Sequence, residues 1–170
     1  MGFDLLAFTS RLITDEASAI ASLTSPLLIC ELPPGADEDL LFGTLVPQDD
    51  RQLPGRTVAH AVRKGSSDQN AFAFGITVGR TRNNDIVVED NSVSRFHAYF
   101  VSDLRTGTWT LVDAESSNGT LLEEVALQPR TPTPVPDRSR VKFGSVSARF
   151  LLPESVVAYV RGQLSTQEKP

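Results

Sequence analysis

From Thr57 onward the apolar residues come in short runs, each ended by a cluster of Gly, Asn, Asp or Ser. Val58, His60 and Val62 alternate with smaller residues. Phe72, Phe74 and Ile76 alternate again, and Val78 extends that run. Ile86–Val88, Ala98–Val101, Thr108–Val112, Val141–Phe143 and Ala148–Leu152 are further β-prone runs. Strands this short, set at sandwich-like intervals, bury their apolar faces by stacking two sheets. The 11 Gly and 11 Pro supply the turns, and a hydrophobic content of 40% is enough for a real core. At 170 residues the chain fits one domain with appendages, or two small ones.

Both flanks have a different pattern. Residues 1–25 predict a helix capped at Ser10, with Leu12, Ile13, Ala17, Ile20 and Leu23 at roughly helical spacing and Asp15 and Glu16 near its start. Pro26 closes it, and its apolar stripe is expected to dock on a core, because short helices need tertiary support. Leu27–Cys30 reads as a short buried strand bounded by Pro33-Pro34-Gly35. The stretch to residue 55 holds Asp37, Glu38, Asp39, Asp49 and Asp50 around Leu40–Val46 and reads as a linker with a solvated acidic surface. Pro153 opens a C-terminal helix carrying Val156, Val157, Tyr159, Val160 and Leu164. Residues 129–136 (PRTPTPVP) read either as an extended connection between late strands or as a polyproline ligand.

The formal charge of −5 argues against general nucleic-acid binding. No apolar run reaches the ~20 residues of a membrane span, and the first residues lack the basic region of a signal peptide. The lone Cys30 excludes an intramolecular disulfide. These features fit a soluble, cytoplasmic protein that contacts neither nucleic acid nor membrane. Catalytic signatures are absent: two His, no HExxH, no Cys pair for zinc, no P-loop and no G-x-S-x-G. Neither a metal nor a cofactor is expected. A nucleophilic Ser94–His97 pair fits by spacing alone, with no evident orienting acid or oxyanion hole.

Three polar clusters stand where the strand pattern breaks: Gly79-Arg80, Ser94-Arg95-Phe96-His97 and Ser116-Ser117-Asn118-Gly119-Thr120. Together they offer guanidinium, hydroxyl, carboxamide and backbone N–H donors, the chemistry that holds a dianionic phosphate. Arg80 follows a glycine at a strand end and has a fork suited to phosphate. His97 either contacts a ligand or braces the loops from within, and the apolar strand that follows suits bracing. Asn118-Gly119 is a common tight-turn pair, while the Asn118 carboxamide is also able to grip an extended peptide backbone.

The run GRTRNNDIVVEDNSVSRFHAYFV, followed by WTLVDAESSNGTLL, resembles the forkhead-associated (FHA) domain. The matching blocks are GR, NDI, SRxHA and SxNGT, in the family's order. The resemblance implies an all-β protein, an FHA-type β-sandwich of about eleven strands, with an N-terminal helical extension and a C-terminal helix. It divides the chain into an N-terminal extension (1–55), an FHA domain (56–152) and a C-terminal helix and tail (153–170). It implies a non-enzymatic adaptor for phosphothreonine peptides, partnered by a Ser/Thr kinase or its substrate. Arg80 and Ser94 would bind the phosphate, Ser117 would assist, Asn118 would hold peptide backbone, and Arg95 occupies a variable peptide-contacting position. Gly79, His97 and Gly119 match positions that shape the loops. A scaffold or oligomerisation module binding without phosphate is the alternative. One departure stands out: the family often has a second Asn-Gly turn after NGT, where this chain has Leu121-Leu122-Glu123-Glu124-Val125.

Overall fold

A computed structural model describes residues 2–32, 56–65, 70 and 72–167. The expected acidic linker, with Pro33-Pro34-Gly35, lies outside the described residues. Two sheets stack face to face. The larger joins β1 (Gly2–Phe3), β3 (Arg56–Ala61), β2 (Leu27–Leu32), β12 (Val146–Leu151), β11 (Arg140–Phe143), β8 (Thr120–Leu122) and β9 (Val125–Ala126), in that spatial order. The smaller runs β10 (Thr133–Pro134), β7 (Thr108–Asp113), β6 (Ala98–Asp103), β4 (Ile76–Gly79), β5 (Ile86–Val87). Every pairing is antiparallel except β4 with β5. The chain is an all-β sandwich with helices at both ends, twelve strands among the described residues.

Between the sheets, Leu28, Cys30, Val78, Ile86, Phe100, Leu111, Val141, Phe143 and Phe150 pack into one core. The Phe100 and Phe150 rings stack at 5.5 Å across it. A second cluster lies on the outer face of the larger sheet, where Leu27, Ile29, Ala59 and Leu151 meet Phe8, Leu12 and Ala19 of the N-terminal helices, Leu23 just after them, and Val156 and Val160 of α3 (Pro153–Gln167). β2 is therefore covered on both faces, and so Leu27–Cys30 is uniformly apolar instead of alternating. That strand, from the segment before residue 56, is hydrogen-bonded between β3 and β12 in the middle of the sheet.

Two local expectations are corrected. The N-terminal helix is two helices, α1 (Leu5–Thr14) and α2 (Glu16–Ala21), and Ser10 lies inside the first. Asp4 caps α1, its Oδ1 accepting from the Ala7 N–H at 2.8 Å. Asp15 closes α1 and caps α2, accepting from the Ser18 N–H at 3.1 Å. The bend leaves Ile13 72% exposed while Leu12 and Leu23 are buried. Phe72 and Phe74 are not in a strand: Phe74 lies exposed in a turn before Gly75, and Phe72 precedes that turn. Where the chain departs from the family's Asn-Gly, Glu123 and Glu124 make a turn themselves. Both have positive φ (47° and 67°) between the paired residues Leu122 and Val125, as a two-residue hairpin turn requires. The proline-rich stretch runs along β7 as β10, with Val135 buried and its N–H donating to the Trp109 carbonyl at 2.8 Å.

Candidate functional site

All five candidate contact residues gather at one end of the sandwich. Arg80 follows β4, Ser94 and Arg95 lie between β5 and β6, and Ser117 and Asn118 lie between β7 and β8. Together with Asn91, Ser92, Val93, Phe96 and Glu115 they line an open cleft of about 480 Å³. Three loops distant in sequence thus present their polar groups to a single space.

The loops are tied to one another through backbone and buried side chains. The Arg80 N–H donates to the Ser94 carbonyl at 3.0 Å, and the His97 N–H to the Val78 carbonyl at 2.9 Å. A Cβ on Gly79 would collide with the Arg95 carbonyl and stand 2.7 Å from the Asn84 amide nitrogen. Only glycine permits that approach. Asn84, itself buried, donates through Nδ2 to the Thr81 carbonyl at 2.8 Å and the Arg95 carbonyl at 2.7 Å.

His97 is wholly buried between the loops, its ring edge-on to Phe143 at 5.6 Å. Nδ1 accepts from the Ser94 N–H at 3.0 Å and Nε2 donates to the Gly119 carbonyl at 3.1 Å. That pattern requires the neutral imidazole with its proton on Nε2. Burial lowers the His97 pKa, outweighing the Gly119 carbonyl and the Asp113 carboxylate, which raise it. Both ring nitrogens are occupied by backbone groups, so neither faces the Ser94 hydroxyl as a general base for a nucleophile would.

Beneath the third loop lies Asp113, 1% exposed. Its carboxylate accepts from the Ser116 Oγ at 2.6 Å, the Thr120 Oγ1 at 2.6 Å and the Ser116 N–H at 3.0 Å. Burial pushes its pKa up, but these hydrogen bonds and the nearby His97 outweigh it and hold the carboxyl below its ordinary range. Gly119, at φ +76°, completes the turn in a conformation that costs a side-chain-bearing residue energy. The far side is closed by Ser92: its Oγ hydrogen-bonds Asp90 at 2.5 Å and Ser145 at 2.7 Å, and its carbonyl accepts from the Asn118 Nδ2 at 2.7 Å. Asn84, Ser92 and Asp113 are positioning residues to which inspection of the sequence assigns no such role, and Thr120, a member of the third polar cluster, acts as another. Their sequence sign, an Asp, Asn or Ser at a strand or turn boundary, is common everywhere.

On the open side the donors are underused. The Ser94 Oγ accepts from the Ser117 N–H at 3.0 Å, while its own O–H reaches the Ser117 Oγ only at 3.4 Å. A contact that long is readily surrendered to a better acceptor. Among the described residues, neither Arg80 nor Arg95 is paired with a carboxylate. The one acidic residue on the cleft wall, Glu115, is engaged by Arg130 at 2.6 Å. A chain of net charge −5 therefore has a cationic, donor-rich cleft, suited to a tetrahedral oxyanion.

The family model described as "FHA domain" matches residues 76–144. An FHA domain-containing protein of Arabidopsis thaliana is 39% identical over 74 residues, covering 43% of this chain and 19% of that protein. The nuclear inhibitor of protein phosphatase 1 of Homo sapiens is 31% identical over 81 residues, covering 46% of this chain and 23% of the relative. The chain thus aligns with about a fifth of each of these relatives' length. A solution structure of the FHA domain of an Arabidopsis thaliana hypothetical protein has a TM-score of 0.48 at 27% identity, covering 75% of this chain and 86% of that one. The segment carrying the cleft, residues 76–144, is thus similar to FHA domains.

Proposed function

We propose that the cleft binds phosphothreonine peptides and that the protein acts as a non-enzymatic adaptor. The observation that carries this reading is the convergence of Arg80, Ser94, Ser117 and Asn118 on one cleft whose cations have no carboxylate partner among the described residues. In this reading Arg80 supplies the guanidinium fork to the phosphate, and the Ser94 hydroxyl turns from Ser117 to a phosphate oxygen. Ser117 adds a further donor, and Arg95 contacts the flanking peptide. Asn118 uses one amide hydrogen on Ser92, which leaves a second hydrogen and Oδ1 for peptide backbone. Gly79, His97 and Gly119 fix the loops without touching ligand. The partner is a Ser/Thr kinase or one of its substrates.

A phosphothreonine carries about −1.5 to −2 charges at neutral pH. Each charge-assisted hydrogen bond contributes about 1.5–3 kcal/mol. Two or three of them contribute about 3–9 kcal/mol before the cost of ordering the peptide, so the affinity is expected to be no tighter than micromolar, roughly −8 kcal/mol, as suits a reversible switch. Calorimetric titration with matched phosphorylated and unphosphorylated threonine peptides tests the reading. Arg80→Ala, an exposed position, is expected to weaken phosphopeptide binding about 100-fold or more with no change in the fold. Wild-type affinity in that variant, or equal affinity for the unphosphorylated peptide, overturns it.

A further inference from the structure

Arg130 lies outside the three loops, at the head of the proline-rich connection that leads into β10, yet its side chain reaches the cleft. Its Nη2 is 2.6 Å from Oε2 of Glu115, the one acidic residue lining the cleft among the described residues. The Arg130 N–H donates to the Asp113 carbonyl at 2.8 Å, which ties the connection to the end of β7, just before Glu115. Both members of the ion pair have a left-handed backbone, with φ of 60° at each. That conformation disfavours residues with a side chain. The pair returns little stability in exchange, because the Arg130 side chain is 75% exposed and that of Glu115 54%. Two strained residues that meet at the wall of a cleft point to a use at that site.

We infer that Arg130 is a positioning residue for phosphopeptide binding: by holding Glu115 it cancels the one negative charge on the cleft wall, and so sets how well the cleft accepts a dianion. This rests on the function proposed above. A cleft of about 480 Å³ is only about 8 Å across, one Debye length at physiological ionic strength. An anion anywhere within it therefore feels the charge on Glu115. While Arg130 holds that carboxylate the pair is neutral, and the guanidinium groups of Arg80 and Arg95 set the potential. Once unpaired, the carboxylate opposes both phosphate charges and offsets one of the two cations. An unphosphorylated threonine, being neutral, feels none of this. The proline-rich connection then serves the cleft by delivering a cation to its wall.

The test titrates a phosphothreonine peptide and its unphosphorylated counterpart into the full chain, as wild type, Arg130→Gln, and Arg130→Gln combined with Glu115→Gln. Both side chains are exposed, so neither substitution endangers the fold, and thermal melting checks that. Arg130→Gln is expected to weaken the phosphopeptide about five- to tenfold at physiological ionic strength. In about 1 M salt, where the Debye length is about 3 Å, the loss should shrink to less than about twofold. The double variant removes both charges and is expected to bind within about twofold of wild type. A pair that only braced the loop would leave the double variant as weak as Arg130→Gln, and that result overturns the inference. So does wild-type affinity in Arg130→Gln, or a loss that persists in high salt. Equal affinity of wild type for the two peptides overturns the cleft's assignment, and this inference with it.

Discussion

Replacing Asp113 by Asn tests whether the third loop is held from beneath. The carboxylate accepts three hydrogen bonds inside the protein, two at 2.6 Å and one at 3.0 Å. An Asn that keeps Oδ1 on the Ser116 N–H exchanges a charge-assisted bond for a neutral one, a loss of about 1 kcal/mol. Its Nδ2 then faces two hydroxyls that had been donating. One hydroxyl turns to accept, and the other, Thr120 Oγ1 in a buried position, loses its acceptor at a cost of about 1–3 kcal/mol. The sum is about 2–4 kcal/mol, which lowers Tm by about 5–15 °C for a chain of this size. Urea denaturation measures it. Thr120→Val removes one of the same bonds, so the double variant is expected to lose less than the two single losses added together. pH adds an independent check. Asp113 has a depressed folded-state pKa, so its contribution is present above the unfolded value of about 3.9 and is lost as pH falls through the lower folded value. The stability gap between wild type and Asp113→Asn should therefore be full at pH 6 and shrink below about pH 4. A change under about 0.5 kcal/mol at pH 7, or strictly additive single and double variants, refutes this account.

Two further outcomes follow from the structure. Glu124→Gly relieves a left-handed residue whose only ion-pair contact is a 3.9 Å approach to Arg140 at the surface. It should gain about 1 kcal/mol and raise Tm by about 2–4 °C, and a lower Tm would mean that the carboxylate matters more than the backbone. Burial lowers the pKa of His60 to about 4 and also lowers that of His97. The folded chain keeps both neutral while the unfolded chain takes up protons near pH 6.5, so stability should fall as pH drops from about 7 to 4. Calorimetry at pH 7.5 and 5.5 checks this, and an unchanged or higher Tm at pH 5.5 would contradict it.

Legibility in the sequence varied with the range of the interactions involved. A strand such as Ala98–Val101 is plain because a half-buried strand selects alternating side chains locally. Phe72 and Phe74 have the same alternation without a strand. Their rings pack on Phe96 and Tyr99 instead, and periodicity cannot distinguish the two uses. The helix read from Ser10 fails for another reason: Asp15, taken as a favourable early residue, is a cap that splits the segment in two. Glu123-Glu124 carries no turn signature at all. Pairing of β8 with β9 imposes the left-handed backbone, and the Glu123 carboxylate offsets part of the cost by accepting from the Arg140 N–H at 2.7 Å.

Taken alone, the sequence determined that the chain is a sandwich with helical flanks, and which loops carry the clustered polar residues that line the cleft. Side-chain periodicity and short motifs are properties of neighbouring residues. What only the tertiary structure decided is how Arg80, Ser94 and Ser117 come to share one cleft. That depends on contacts between distant loops: His97 bridging Ser94 to Gly119, Asn84 holding the Arg95 carbonyl, and Asp113 holding Ser116 and Thr120. The same is true of Leu27–Cys30, whose uniform apolarity acquires its meaning only when helices cover the outer face of the sheet. Hydrogen bonds and burial between residues far apart in the chain leave no periodic trace in it, so they become visible only once the sheets have stacked.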